Sequence, residues 1–393
     1  MTARVPEIDG LRAVAMTLVV AYHCSILPFG WMGVWIFYVI SGYVITLTLL
    51  TDSQIDAAPK VRYHAFIVRR IFRIVPVYLF YLAINIPFVF QAHRVESFKE
   101  MPFLLAFVYN WQTIYQFIDV RGWSGYAHLW TLSVEEQFYL FYPFLLFLLP
   151  PRRFVLVVAG LIALGPLVRW ETAQISSSVS QDPDWIALTV YLSSLCHFDA
   201  FLAGAALAVA RRRIMVDKTV AAWIWTVSVS ACVLYVLVYL KVNLDHGATG
   251  WAAFKNIVSG TLYGQGREVF IYSAVALVAV SVMIAILQRR RWTRSLGWQP
   301  IASVGKVSYG GYLYHLLVLH VLGLILSDAW YFYPIHWRVA IFVVAWTLTV
   351  LVAQLSFNLF EMRLIRVGQT LSHRARRESR VVIAGGGALH PTD

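Results

Sequence analysis

The first apolar segment, EIDGLRAVAMTLVVAYHC, carries Arg12 and His23 eleven residues apart. At 100° per residue that spacing overshoots three helical turns by about 20°, with a rise of about 16 Å. A cation and a titratable imidazole therefore share one stripe of a helix. The arginine can bind an anion, and the histidine can take a proton from a hydroxyl as general base or attack as a nucleophile. Asp9 lies one turn before Arg12 and can pair with it. Taken singly, each residue also fits a blander account: a snorkelling arginine, or a histidine bonded to a neighbouring helix. Both on one stripe favour chemistry.

Two further segments add charge. HAFIVRRIFRIVPVY sets Arg70 and Arg73 one turn apart, with Arg69 adjacent. Two guanidinium forks at that spacing can grip a phosphate or pyrophosphate; a topology-setting cluster at lipid headgroups gives the same pattern. HLWTLSVEEQFYLFYP brings Glu135 and Glu136 about as deep from its helix end as His23 is from its own. One carboxylate, with Glu135 preferred, can then orient His23 and balance an imidazolium, and Ser133 can donate a hydrogen bond nearby. Glu136 fits equally a carboxylate in a wet vestibule. Other polar groups inside apolar segments are His197 and Asp199 (CHFDAFLAGAALA), His315 and His320 (SYGGYLYHLLVLH), and Glu361 (FNLFEMR). Core packing competes with function for each of them, and Glu361 can simply pair with Arg363.

What must position these groups is a set of membrane helices. The chain has 393 residues, 60% hydrophobic and 13% charged, where soluble domains carry about 25% charged residues. Apolar runs long enough to span recur to the C-terminus. Ten spans are predicted near 8–27, 31–50, 72–92, 128–150, 154–170, 187–210, 219–240, 268–287, 301–326 and 337–360. Residues 100–118 are apolar but hold Asn110, Gln112 and Gln116. If they do not cross, the basic clusters at 60–73, 152–153, 211–218, 289–294 and 363–380 all fall on the side of the N-terminus. Only Arg94, Lys99, Arg121, Arg169, Lys241, Lys255, Arg267 and Arg338 then lie opposite. The positive-inside rule selects that arrangement, with both termini cytoplasmic and 100–118 re-entrant or interfacial. The expected fold is an all-α integral membrane protein with one domain at 1–366. Residues 367–393, basic and then Gly-rich, read as a disordered cytoplasmic tail.

The net charge of +12 suits an anionic membrane surface or a phosphate-bearing ligand, and the short basic clusters between apolar runs argue against nucleic acid. Cys24, Cys196 and Cys232 are odd in number and show no metal-ligand spacing, so neither a disulfide framework nor a metal is expected. G-x-S-x-G, P-loop and H-E-x-x-H motifs are absent. A transporter of a sugar or anionic metabolite remains the competing class, although no inverted repeat of broken helices is visible.

In order along the chain, EIDGLRAVAMTLVVAYHC…GWMGVWIFYVISGYVIT, RRIFRIVPVY, HLWTLSVEEQFY, HFDAFLAGAALA, SYGGYLYH and FNLFEMR resemble the membrane-bound acyltransferase family 3, the bacterial sugar O-acyltransferases. The resemblance covers residues 5–365. It departs from the family's pattern at Tyr314, where Trp is usual, and at Met362 and Arg363, where a proline often follows the glutamate. It implies a multi-pass bacterial inner-membrane enzyme. Such an enzyme moves an acyl group, often acetyl, from cytosolic acyl-CoA to a hydroxyl of a surface polysaccharide, lipid-linked glycan or macrolide-type acceptor. Acyl-CoA would be a substrate, with no cofactor bound. The resemblance also implies a catalytic role for His23 and coenzyme recognition by an arginine pair; read from the residues, Arg69, Arg70 and Arg73 would grip the coenzyme's phosphates and its pantetheine arm would run past Arg12.

Overall fold

The computed structural model describes residues 5–53, 58–91, 95–116, 125–258, 260–326 and 329–386. Among them there is no β-strand. The chain runs through α1 (Pro6–His23), α2 (Met32–Ser53) and α3 (Pro59–Gln91), then the short α4 (Met101–Leu105) and α5 (Tyr109–Gln116). Next come α6 (Trp130–Leu148), α7 (Pro151–Val179), α8 (Pro183–Leu192), α9 (Phe198–Val216), α10 (Lys218–Asp245) and α11 (Gly250–Val258). The last group is α12 (Arg267–Leu287), α13 (Gln299–Lys306), α14 (Ser308–Leu326), α15 (Ile335–Ser356) and α16 (Met362–Gly386).

Among the described residues, seven segments are long and apolar enough to cross a bilayer: Met32–Asp52, Pro59–Phe90, Arg153–Val179, Lys218–Asp245, Arg267–Leu287, Ser308–Leu326 and Ile335–Arg374. The other three expected spans correspond to α1, α6 and the α8–α9 pair. They are too polar to meet that measure, because they carry Glu7, Asp9 and Arg12, then Glu135 and Glu136, then Asp199 and three arginines. Protein covers much of them: α1 packs on α2, α13 and α14, and α9 packs on α2, α7 and α12. Charge in a membrane is tolerated where neighbouring helices enclose it. Conversely, α7, α10 and α15 leave Leu156, Leu164, Trp223, Leu234, Leu237, Val343, Leu351 and Leu355 exposed, the pattern of helices whose outer faces meet lipid.

The expected sixth span is not one helix. It breaks after Leu192 into a 3₁₀ turn at Ser194–Cys196 before α9 begins. The ninth likewise divides at Val307 between α13 and α14. The segment at 100–118 is broken as well. The eight residues of α5 extend about 12 Å, well short of a ~30 Å hydrocarbon core. Its irregular backbone is satisfied by surrounding side chains. Gln137 Nε2 donates to Phe107 O at 2.8 Å and to Asn110 Oδ1 at 3.0 Å. Asn110 Nδ2 donates to Leu192 O at 3.0 Å, and Trp185 Nε1 to Ile114 O at 3.1 Å. One side of the segment is thus held by protein, with Tyr109, Asn110, Thr113 and Ile114 buried, while Phe103, Leu105 and Tyr115 are exposed.

Residues 367–386, which composition suggests as a disordered tail, continue α16 instead. The helix packs along α3, and Arg69 donates to Ser372 Oγ at 2.5 Å. Residues 92–94, 117–124 and 387–393 lie outside the described residues, Arg94 and Arg121 among them. The three cysteines are unpaired.

The contact of α2 with α9 depends on small residues. A Cβ on Gly204 would stand 1.9 Å from Val39 O, and one on Gly42 1.9 Å from Phe201 O. Gly204→Val is therefore expected to cost more than the ~1–3 kcal/mol of ordinary overpacking, since the obstacle is backbone. Thermal unfolding in detergent should show a lowered midpoint, and an unchanged midpoint would contradict the contact.

Candidate functional site

Three helices deliver the charged groups to one place. Arg12 from α1, Arg70 and Arg73 from α3, and Glu135 from α6 line a cavity of about 80 Å³, closed by Ser41, Tyr139, Tyr309 and Tyr312 among others. Thr131, Glu135 and Tyr139 all reach it because they recur at four-residue spacing on one face of α6. Glu135 is held in place by hydroxyls: Ser41 Oγ donates to its Oε1 at 2.7 Å, and the Tyr139 hydroxyl donates to the same oxygen. Arg70 lies over the Tyr139 ring at 4.9 Å, which fixes its fork beside the carboxylate. Three guanidinium groups against one carboxylate leave the pocket positive, the balance that receives an anion.

A second cavity, of about 820 Å³, opens from the other end of α1. It is lined by His23, His128, Asp184 and the aromatic rings of Tyr22, Trp31, Trp130 and Tyr191. Val34, Thr131 and Tyr312 line both cavities and so form a shared wall. The Tyr312 hydroxyl is anchored there, 2.7 Å from Thr131 Oγ1 and donating to His128 O at 3.1 Å. Arg12 and His23 thus open onto adjoining chambers, as one stripe of α1 requires.

His23 stands in a cluster of imidazoles. Its ring centroid is 5.1 Å from that of His315, which is 5.1 Å from that of His128. His128, which is not among the candidates read from the sequence, joins the cluster from the turn before α6. The signal for it was nonetheless present, because His128, Thr131, Glu135 and Tyr139 follow one helical stripe that starts in the turn before α6.

Several expectations are corrected. Glu135 does not orient His23: its hydrogen bonds come from Ser41 and Tyr139, and it belongs to the arginine pocket. Matching depth along two helices says nothing about which way each turns. Arg69 leaves the arginine group, forming an ion pair with Asp52 and bonding Ser372. It neighbours Arg70 in sequence and so points about 100° away. Ser133 faces away from both cavities and donates to Leu129 O at 3.4 Å. Glu136 lines neither cavity, and its Oε1 has no hydrogen-bond partner among the described residues. Asp9 is buried one turn from Arg12. His197 is a core histidine: its Nε2 donates to Tyr191 O at 2.9 Å, and its ring packs edge-on to Trp35. Asp199 forms a buried ion pair with Arg169 at 2.9 Å. Glu361 accepts from Ser356 Oγ at 2.8 Å, and that hydroxyl lies 3.0 Å from the Tyr314 hydroxyl. The suggested partner, Arg363, is not what holds it.

An all-helical membrane protein with an arginine chamber and a histidine chamber sharing one wall is built for polar chemistry between helices, screened from lipid. A family model described as an acyltransferase domain matches residues 5–354, and the chain belongs to that family. It is 26% identical over 384 residues to the O-acetyltransferase OatA of Staphylococcus aureus (strain NCTC 8325 / PS 47), covering 92% of this chain and 57% of that protein. It is 30% identical to the peptidoglycan O-acetyltransferase OatA of Listeria monocytogenes, covering 91% of this chain and 55% of that one. It is 28% identical to the putative peptidoglycan O-acetyltransferase YrhL of Bacillus subtilis, covering 91% and 54%. The chain therefore spans about half the length of the curated relatives it matches. No solved structure matches it.

Proposed function

We propose that this chain is a membrane O-acyltransferase that binds a phosphate-bearing acyl thioester, acetyl-CoA, at the arginine pocket and a glycan hydroxyl in the histidine chamber. The observation that carries this reading is the shared wall: Val34, Thr131 and Tyr312 border both cavities. The acetyl group and the glycan acceptor follow the names of the relatives, and the positive pocket suits the phosphates of a coenzyme A donor. In this reading the Arg12 end of α1 faces the cytosol and the His23 end faces outward in the bacterial inner membrane, the orientation that the positive-inside rule favours for these basic clusters.

In this mechanism, Arg70, Arg73 and Arg12 hold the donor while its thioester reaches the wall. His23 takes the proton of the acceptor hydroxyl as that oxygen attacks the thioester carbonyl. The C–S bond breaks as the new C–O bond is completed. The departing thiolate recovers the proton from the His23 imidazolium, leaving the histidine neutral for the next cycle.

Purified protein supplied with acetyl-CoA and a glycan acceptor should release free thiol and acetylated glycan in equal amounts, and no release would reject the reading. Removing Arg70 and Arg73 to alanine should raise the KM for acetyl-CoA roughly tenfold or more, because each guanidinium–phosphate bond is worth about 1.5–3 kcal/mol. Arg69→Ala should leave that KM unaltered, since Arg69 is committed to Asp52 and Ser372. Equal effects from Arg69 and Arg70 would move the donor site elsewhere.

A further inference from the structure

With Glu135 assigned to the arginine pocket, the group that sets the orientation of His23 has to come from those around it. These are Tyr22 on its own helix, His315 from α14, and His128 and Asp184 on the same chamber. His315 is fully buried. Its Nδ1 lies 2.6 Å from Tyr312 O. A carbonyl oxygen only accepts, so the proton is on Nδ1 and Nε2 keeps its lone pair. That Nε2 has no hydrogen-bond partner among the described residues. Buried acceptors are rarely left bare, and those that are call for a functional explanation. The ring itself is held firmly, tied to the helix backbone through Tyr312 O and packed between the Tyr312 and His128 rings at 5.5 Å and 5.1 Å.

We infer that His315 is the positioning residue of His23: with the two rings 5.1 Å apart, a turn of the His23 ring brings its N–H onto the bare Nε2, which fixes the tautomer and turns the other nitrogen of His23 toward the acceptor chamber. The arrangement does what a carboxylate does behind a catalytic histidine, but with a neutral acceptor. An imidazole places no second charge in the apolar interior, so nothing draws a proton onto His23 before the acceptor hydroxyl supplies one. Once His23 is protonated, the same N–H remains bonded to His315 and the imidazolium is stabilised where it forms. His128 completes the enclosure from the far side, its Nε2 donating to Leu313 O at 3.1 Å.

The kinetic consequence rests on the acyl-transfer reading; the structural one does not, and the test separates them. Full-length protein labelled with ¹⁵N-histidine gives His23 resonances identified by their loss in His23→Ala. In His315→Leu these resonances should shift, because the hydrogen bond is gone. In His315→Gln, whose amide oxygen reaches the Nε2 position, they should stay near the wild-type values. In turnover, His315→Leu should lower kcat roughly 10–100-fold with the KM for acetyl-CoA unchanged, and His315→Gln should regain most of the loss. If His315→Leu does not fold, His315→Asn replaces it, since its shorter amide cannot reach the Nε2 position. Unmoved His23 resonances overturn the inference, as does an equal kcat loss in Gln and the shorter or apolar variant, which is what a purely structural role gives. A wild-type protein without turnover rejects the acyl-transfer reading alone, and the resonances still decide the role of His315.

Discussion

His23→Ala is expected to lower acyl transfer by about 10²–10⁴-fold, the range for a general base acting in the transition state, while the protein still folds. The two halves of that expectation have separate grounds. The ring is half-buried and lines the larger chamber. The buried face of α1 includes Leu11, Ala15, Met16 and Val20, none of which lines the His23 chamber. Truncation enlarges an existing cavity and leaves no charge stranded. The comparison is the initial rate of acetyl transfer by wild-type and variant proteins that elute alike on size exclusion. Full activity in the variant would remove His23 from the mechanism. The same preparation distinguishes the base from a nucleophile: without acceptor, an acyl-histidine would carry label from acetyl-CoA through a neutral quench, and direct transfer would leave the protein unlabelled.

The parts of this site that were legible in the sequence are those that helical period alone can place. Arg12 with His23, and Arg70 with Arg73, share faces by arithmetic, and each pair lines a cavity or its neighbour as that arithmetic requires. What failed was matching between helices. Depth pairs Glu135 with His23, yet depth is one coordinate of two, and α6 turns Glu135 toward Ser41 on α2. Applying the period within α6 would have done better, because it joins His128, Thr131, Glu135 and Tyr139 and sets Ser133 on the opposite side. Element ends were legible only where composition changes. Composition ends the fifth span at 170, just before the polar stretch ETAQISSSV, but α7 runs on to Val179. Its hydroxyls satisfy themselves on the helix, Thr172 Oγ1 donating to Val168 O and Ser176 Oγ to Thr172 O. A polar tract of that kind does not end a helix. Arg169, at the outer end of the expected span, therefore lies well inside α7.

Arg169 instead marks the second large effect: Arg169→Met is expected to destabilise the protein by about 3–5 kcal/mol, the cost of leaving a buried ion without its partner. The guanidinium is fully buried and spends its donors on three elements. Its Nε donates to Val269 O at 2.7 Å on α12, one terminal nitrogen donates to Cys196 O at 2.7 Å and Asp199 at 2.9 Å, and the other bonds Ser273. Cys196 O lies where the expected sixth span breaks, and a broken helix in an apolar setting needs a donor brought to it from elsewhere. Arg169 supplies that donor and neutralises Asp199 with the same group. Two terms follow, and a double variant separates them. Arg169→Met combined with Asp199→Leu removes the stranded charge, so it should recover much of the lost unfolding midpoint. It cannot recover all of it, because Cys196 O and Val269 O lose the hydrogen bonds that Arg169 gave them. Thermal unfolding of the three proteins in one detergent measures both terms. Full recovery in the double variant would show that charge pairing is the whole role of Arg169; no recovery would show that donation to the break in the helix dominates. An Arg169→Met protein as stable as wild type would contradict the buried pair itself.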